Sequence, residues 1–246
     1  MKNLVLLTFV AALTLSAPYA SSQETTATVD LVEPTLPEGI NDGFKDPELK
    51  VDEWLQRFEV ESREVYGARE AVLKACQITP GERIADIGAG TGFYSRLFTK
   101  RTGLDGWVFS VDISTQFLQH IAARASADNI PNLTPVLGTD TSIRLPTDSV
   151  DLVFICDTYH HFEQPLHTLA SIYRALKPGG RLVLIDFARI PGKSREWTMG
   201  HVRAGQEVFQ AEVEQAGFVF DDEVDIDGFD ENYLLRFHKP KNESNK

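Results

Sequence analysis

The sequence predicts an α/β fold: a mainly parallel, seven-stranded sheet with helices on both faces and a C-terminal antiparallel hairpin. Three observations predict it. Short apolar strands and amphipathic helices alternate from residue 84 to residue 187. Residues 150–156, Val-Asp-Leu-Val-Phe-Ile-Cys, are apolar on both faces, as a strand inside a parallel sheet should be. A glycine-rich turn, Gly88-Ala89-Gly90-Thr91-Gly92, joins the first strand to the helix after it.

The elements follow in order. Lys2 precedes an apolar run over residues 4–15, and the small residues Ser16, Ala17, Ala20, Ser21 and Ser22 follow. That layout is a secretory signal peptide over residues 1–22, cleaved after Ala20 or Ser22, and it places the protein in the periplasm or outside the cell. The competing reading is an uncleaved membrane anchor, for which the run is short. Residues 23–50, rich in Thr, Glu, Asp and Pro, read as a linker. Trp54, Phe58, Val65, Val72 and Cys76 share a helical stripe, which predicts two short helices as a cap over residues 51–78.

Strands are expected at 84–87, 107–113, 133–137, 150–156 and 181–187, with helices at 93–99, after Ser114, and at 166–176. Ser114 stands where a helix cap belongs, ahead of the buried positions Phe117, Leu118, Ile121 and Ala125. Lys177-Pro178-Gly179-Gly180 reads as a turn. Residues 189–203 read as irregular or short helix, 202–216 as an amphipathic helix, and 218–224 with 233–238 as the closing hairpin. The domain therefore spans 51–238, and 239–246 is a disordered polar tail.

Composition excludes several functions. Lys and Arg total 24 against 36 Asp and Glu, a net charge of −12, which repels a phosphate backbone and argues against nucleic acid. Beyond the N-terminus no apolar run is long enough to span a bilayer. Cys76 and Cys156 fit neither a zinc spacing nor a disulfide framework. His160, His161 and His167 have no carboxylate at a matching ligand spacing, so no metal site is expected.

The chemistry concentrates at the glycine-rich turn. It follows a central strand at the edge where open α/β sheets bind ligands. Asp112, twenty residues past Gly92, ends the second strand and can accept hydrogen bonds from ribose hydroxyls. The spacing is GxGxG rather than the GxGxxG of dinucleotide sites, and Asp86 stands two residues before the first glycine. A carboxylate there repels a pyrophosphate and attracts an amine, which points to S-adenosylmethionine.

At residues 79–187 the sequence resembles the class I S-adenosylmethionine-dependent methyltransferases, with a weaker match to residue 238. The resemblance rests on Ile84 to Gly92, on Val111-Asp112-Ile113-Ser114, on Ser149-Val150-Asp151-Leu152-Val153 leading to Tyr159-His160-His161-Phe162, and on Leu176-Lys177-Pro178-Gly179-Gly180-Arg181-Leu182. It implies a Rossmann-like fold, S-adenosyl-L-methionine as cofactor, and methyl transfer to a small-molecule acceptor. Gly88, Ala89, Gly90 and Gly92 would line the methionine part, with Asp86 beneath its amino group. Asp112 would hold the ribose and Ile113 would pack on the adenine. Asp140, or in its place Thr141, would meet the adenine amino group. Asp157 and Thr158 would face the reacting methyl.

A general base is needed only where the acceptor carries a proton, and His160, His161 and Asp157 are the candidates. The competing role for the two histidines is positional. Residues 189–203 hold Arg189, Lys193, Arg195 and Arg203 against Glu196 alone. With Tyr159, Trp197 and His201, the residues Arg189, Lys193 and Arg203 are expected on the acceptor side, for an anionic or aromatic molecule. The bland alternative is a surface helix paired with the acidic linker. Tyr66 and Arg69 are expected over the cofactor pocket. The alternative function is a non-catalytic periplasmic binding protein that keeps the fold.

Overall fold

A computed structural model describes residues 34–241. The predicted signal peptide lies outside the described residues, as do the first part of the linker and residues 242–246 of the tail. The described residues belong to one compact unit. Among them no helix is long and apolar enough to cross a membrane.

Seven strands form one sheet in the order β3-β2-β1-β4-β5-β7-β6. They are β1 (Arg83–Ile87), β2 (Trp107–Asp112), β3 (Leu133–Leu137), β4 (Val150–Cys156), β5 (Leu176–Phe187), β6 (Val219–Glu223) and β7 (Asn232–His238). Strands β1 to β5 pair in parallel, and β7 runs antiparallel to both β5 and β6. The helices are α1 (Asp42–Lys45), α2 (Val51–Phe58), α3 (Glu64–Gly67), α4 (Arg69–Ala75), α5 (Phe93–Thr102), α6 (Thr115–Ala127), α7 (Pro165–Ala175), α8 (Glu196–His201) and α9 (Gln206–Gln215). A 3₁₀ turn spans Tyr159–His161.

Strand alternation divides the core into two layers. Ala85, Ile87, Val153 and Ile155 join the cluster around Leu169, Ile172, Phe209 and Val213. Ile84, Leu152 and Phe154 join the opposite cluster around Val72, Phe98 and Val183. Successive residues of β1 and β4 are thus buried on opposite faces, which is why both strands read as unbroken apolar runs. The order reverses between β1 and β4, so the loops after these strands diverge and leave a crevice at their carboxyl ends.

Several local expectations change. Residues 177–180, expected as a turn, lie inside β5. The Gly179 amide donates to the Lys239 carbonyl and the Lys239 amide to the Gly180 carbonyl, so pairing beyond β7 carries the chain through the irregularity. Lys239, placed at the head of the tail, is buried, and its ammonium reaches the Leu176 carbonyl at 2.7 Å. Ser114 occupies the N-cap of α6 without a side-chain cap bond. The cap region holds three short helices, and within the expected linker Asp42–Lys45 forms a helical turn.

Tyr159 and Arg203, expected on the acceptor side, are core residues. Arg203 donates to both Glu212 oxygens, at 2.8 and 2.5 Å, and packs over the Phe209 ring. The buried Tyr159 hydroxyl donates to Glu212 Oε2 at 2.7 Å. A guanidinium held this way is needed by its carboxylate and is not available to a ligand. Arg203→Ala should lower stability in urea unfolding by about 3–5 kcal/mol by leaving Glu212 buried and unpaired, whereas Arg203→Met with Glu212→Leu should recover most of it.

Candidate functional site

Close backbone approach explains the glycines. Gly88 has φ +68°, and a Cβ there would lie 2.1 Å from Thr158 Cγ2, so only glycine lets the loop after β1 pass the loop after β4. Gly92 has φ +74°, and its Cβ would lie 2.7 Å from Ile121 Cγ1. Gly92 therefore sets how α5 starts against α6. It does not line the cavity, contrary to the expectation.

Asp112 holds the turn in place. Its Oδ2 accepts from the Gly90 amide at 2.8 Å and its Oδ1 from the Ser114 amide at 2.8 Å. Burial raises its pKa, and these amides act in the opposite direction. Asp86 sits one strand away on β1. It is buried, accepts the Ser95 hydroxyl at 2.5 Å, and among the described residues pairs with no cation. Burial pushes its carboxyl up to about 7, with Asp112 adding to the rise and the Ser95 hydrogen bond opposing it.

These groups open into a cavity of about 540 Å³, within the ~300–1,000 Å³ of small-molecule sites. Asp86, Gly88, Ala89, Gly90, Asp112 and Ile113 line it from β1 and β2. Thr139, Asp140 and Ser142 line it from the loop after β3, and Asp157, Thr158, His160 and His161 from the loop after β4. Trp197 and His201 reach it from α8. Phe44, Trp54, Phe58 and Arg63 close a further wall from the N-terminal helices. Phe44 and Trp54 are 4.8 Å apart at their ring centres, and Trp54 and Phe58 5.1 Å. The Asn41 amide donates to the His161 carbonyl at 2.9 Å and to Glu163 at 2.8 Å, tying this wall to the 3₁₀ turn.

The remaining expected site residues divide. Asp140 lines the cavity and takes Gln164 Nε2 at 3.1 Å, whereas Thr141 does not line it and contacts Thr139. Asp157 has φ +47°, and its two oxygens take Arg63 and Asn232, each at 2.7 Å. Both oxygens of this carboxylate are engaged in positioning, although burial raises its pKa against the pull of Arg63. The cationic strip does not form a ligand site. Arg189 donates to the Met199 carbonyl, Arg195 pairs with Glu231, Lys193 is exposed, and neither Arg189 nor Lys193 lines the cavity. Only Trp197 and His201 of residues 189–203 face it. Tyr66 lines the cavity, while Arg69 is turned to Glu61 and the Tyr66 carbonyl.

The histidines converge. His160 Nδ1 lies 2.7 Å from Asp186 Oδ1, both side chains being buried. His161 Nε2 lies 3.3 Å from His201 Nε2. Burial, with His160 and His201 adding, pushes the His161 imidazole down to about 2, and burial lowers His201 as well. His161 is thus a neutral ring at any working pH. The third member of the cluster is His201 rather than His167.

Sequence reasoning missed Asn41, Phe44, Arg63 and Thr139. Phe44 carried one usable signal, as the single aromatic of residues 23–50. Arg63 and Thr139 carried none.

Comparison with known proteins matches this geometry. Residues 85–184 match the family described as a methyltransferase domain. The ubiquinone/menaquinone biosynthesis C-methyltransferase UbiE of Methylococcus capsulatus is 32% identical over 123 residues, 50% of this chain and 50% of that one. Its counterpart in Ruegeria sp. is 31% identical over 124 residues, 50% of this chain and 49% of the relative. The chain spans about half the length of the curated relatives it matches. An S-adenosylmethionine-dependent methyltransferase from Aquifex aeolicus superposes with a TM-score of 0.68 at 21% identity, covering 77% of this chain and 98% of that one. The Haemonchus contortus phosphoethanolamine N-methyltransferase 2, solved with S-adenosyl-L-methionine, gives 0.68 at 18% identity, covering 82% and 60%. The glycine-rich turn, the acid ending β2 and the 3-2-1-4-5-7-6 sheet stand together with these matches: residues 85–184 match a methyltransferase domain, and the fold is the one S-adenosylmethionine-dependent methyltransferases share.

Proposed function

We propose that the protein binds S-adenosyl-L-methionine in the β1/β4 crevice and transfers its methyl group to a small aromatic acceptor. The observation that carries the reading is Asp86, a buried carboxylate at a cavity wall with no cation among the described residues to pair with it. An ammonium supplies that charge, whereas a diphosphate placed beside Asp86 and Asp112 meets two acids. When bound, the cofactor supplies an electrophilic methyl on a sulfonium.

The chain's own residues bind and orient. Asp112, oriented by the Gly90 and Ser114 amides, presents its remaining lone pairs to ribose hydroxyls. Ile113 lines the cavity beside it and offers an apolar face to the adenine. Asp140, lining the cavity from the loop after β3, is assigned to the adenine amino group. Phe44, Trp54 and Phe58 form the wall that suits a flat apolar acceptor and excludes water. Positioning and desolvation carry most of the rate for such a transfer. The UbiE relatives, named as C-methyltransferases of ubiquinone and menaquinone biosynthesis, support a small-molecule acceptor. Export belongs to the same proposal and is supported by the charge and apolar layout of residues 1–22. Protein recovered from the cell envelope or medium should then lack about 20 N-terminal residues by intact mass.

Asp112→Ala should weaken S-adenosylmethionine binding in calorimetry by roughly 1.5–3 kcal/mol for each lost charge-assisted hydrogen bond. Unchanged affinity would remove Asp112 from the ribose role. Incubation with methyl-labelled cofactor and a metabolite extract should put label into an aromatic product, and its absence across extracts would count against catalysis.

Asp86 adds a pH dependence. Its carboxyl sits near 7 in the fold against 3.8 ordinarily, so the unfolded chain ionises first as pH rises. The free protein should therefore lose stability from about pH 4 to 7 on this group's account. Cofactor affinity should rise as pH climbs toward 7, by up to about tenfold per pH unit below about 6 and levelling off above 7, as the carboxylate that meets the ammonium forms. Asp86→Asn should flatten both profiles. A wild-type affinity that is flat from pH 5.5 to 7.5 would contradict the Asp86 assignment.

A further inference from the structure

We propose that His160, His161 and His201 form a mononuclear site for a divalent metal of the zinc class, open toward the cavity they line. One ligand nitrogen from each lies within 4.8 Å of the others. His161 Nε2 and His201 Nε2 are 3.3 Å apart. Metal–nitrogen bonds of ~2.0–2.1 Å in a tetrahedron place neighbouring ligand atoms about 3.3–3.4 Å apart, so this pair already has the spacing of a tetrahedral edge. The widest separation, up to 4.8 Å, must shorten by about 1.4 Å to reach the same edge, and His201 sits half-buried on the six-residue helix α8.

The surroundings of the rings support the same reading. His160 Nδ1 is paired with Asp186 at 2.7 Å, and Asp186 is fully buried and fixed by the His160 and Phe187 amides at 3.1 and 2.8 Å. A carboxylate on Nδ1 keeps the proton there and leaves the Nε2 lone pair for a ligand bond, the usual support of a metal-bound histidine. His161 Nδ1 is buried without a hydrogen-bond partner. The other nitrogen of that ring meets His201 Nε2 at hydrogen-bond distance, a contact that a bound cation would replace with two ligand bonds. Trp197 stacks on His201 at 4.6 Å, and Phe44 meets His161 edge-on at 5.2 Å, so the rings are held by packing. Three imidazoles without a carboxylate ligand select zinc, cobalt, nickel or iron over magnesium and calcium.

The fourth position of such an ion faces the cavity. There it would take the hydroxyl or thiol of an acceptor and lower its pKa. That last role rests on the methyl-transfer reading; metal binding itself does not.

Cobalt(II) is the probe. The full chain, stripped with a chelator, is titrated with Co²⁺ and followed by visible absorbance and by bound metal after gel filtration. One Co²⁺ per chain, displaced by Zn²⁺, is expected. His161→Ala and His201→Ala should each weaken binding at least ~10-fold, Asp186→Asn about 10–100-fold, and His167→Ala should leave it unchanged. Circular dichroism checks each fold, and if His161→Ala unfolds, His201→Ala and His201→Gln decide. No cobalt spectrum, or one unaltered by the His201 variants, overturns the site. Calorimetry with S-adenosylmethionine on the same stripped samples separates the two readings: cofactor bound without cobalt removes only the metal, and cobalt bound without cofactor removes only the cofactor.

Discussion

A carboxylate buried with no counter-ion among the described residues sets the terms for this molecule. Asp86 lies on the central strand β1, next to the point where the sheet order reverses, and accepts from the Ser95 hydroxyl, which in turn accepts from Ser110. Leaving it there costs the free fold stability, because desolvation opposes its charge. Natural sequences keep such costs where a ligand offsets them. The same site holds Asp112 in one orientation through two backbone amides, so the acid that would meet a ribose is fixed before anything binds. Preorganisation of this kind favours binding by removing ordering costs.

The cavity is completed by parts of the chain far from the strand ends. Phe44, Trp54 and Phe58 gather around Phe117 of α6, at ring distances of 6.2 to 6.4 Å. Lys45 pairs with Glu163 and Asn41 reaches the His161 carbonyl, so the wall is tied to the loop after β4 by polar contacts as well as by ring packing. Arg63 bridges the same two regions by its ion pair to Asp157 while stacking over Phe58. This side of the cavity is therefore assembled from the N-terminal helices, the 3₁₀ turn and α8, each contributing aromatic or imidazole rings.

The strand pattern, the glycine turn and the acid of β2 were legible because each follows from a local constraint: two-sided burial, a positive φ, and a strand end. Asp86, Gly88, Gly90 and Asp112 were readable for the same reason. What sequence could not show was long-range pairing. Arg203 read as a free cation until Glu212, nine residues later on α9, was seen to hold both its nitrogens. Gly92 read as a ligand-facing glycine, yet its freedom serves Ile121 of α6. His201 and His161 are forty residues apart and meet only because α8 packs against the 3₁₀ turn. Phe44 was hidden by its neighbours, since a Pro- and Glu-rich stretch reads as linker whether or not one ring in it docks.

The central claim is that Asp86 is a buried acid that a bound ammonium returns to its charged state. Carboxyl carbon NMR of Asp86 across pH, with and without S-adenosylmethionine, tests it directly. The account predicts titration near 7 in the free protein and a clear fall once the amine is bound beside it. An ordinary carboxylate midpoint in the free protein, or one that the cofactor leaves unmoved, would contradict it.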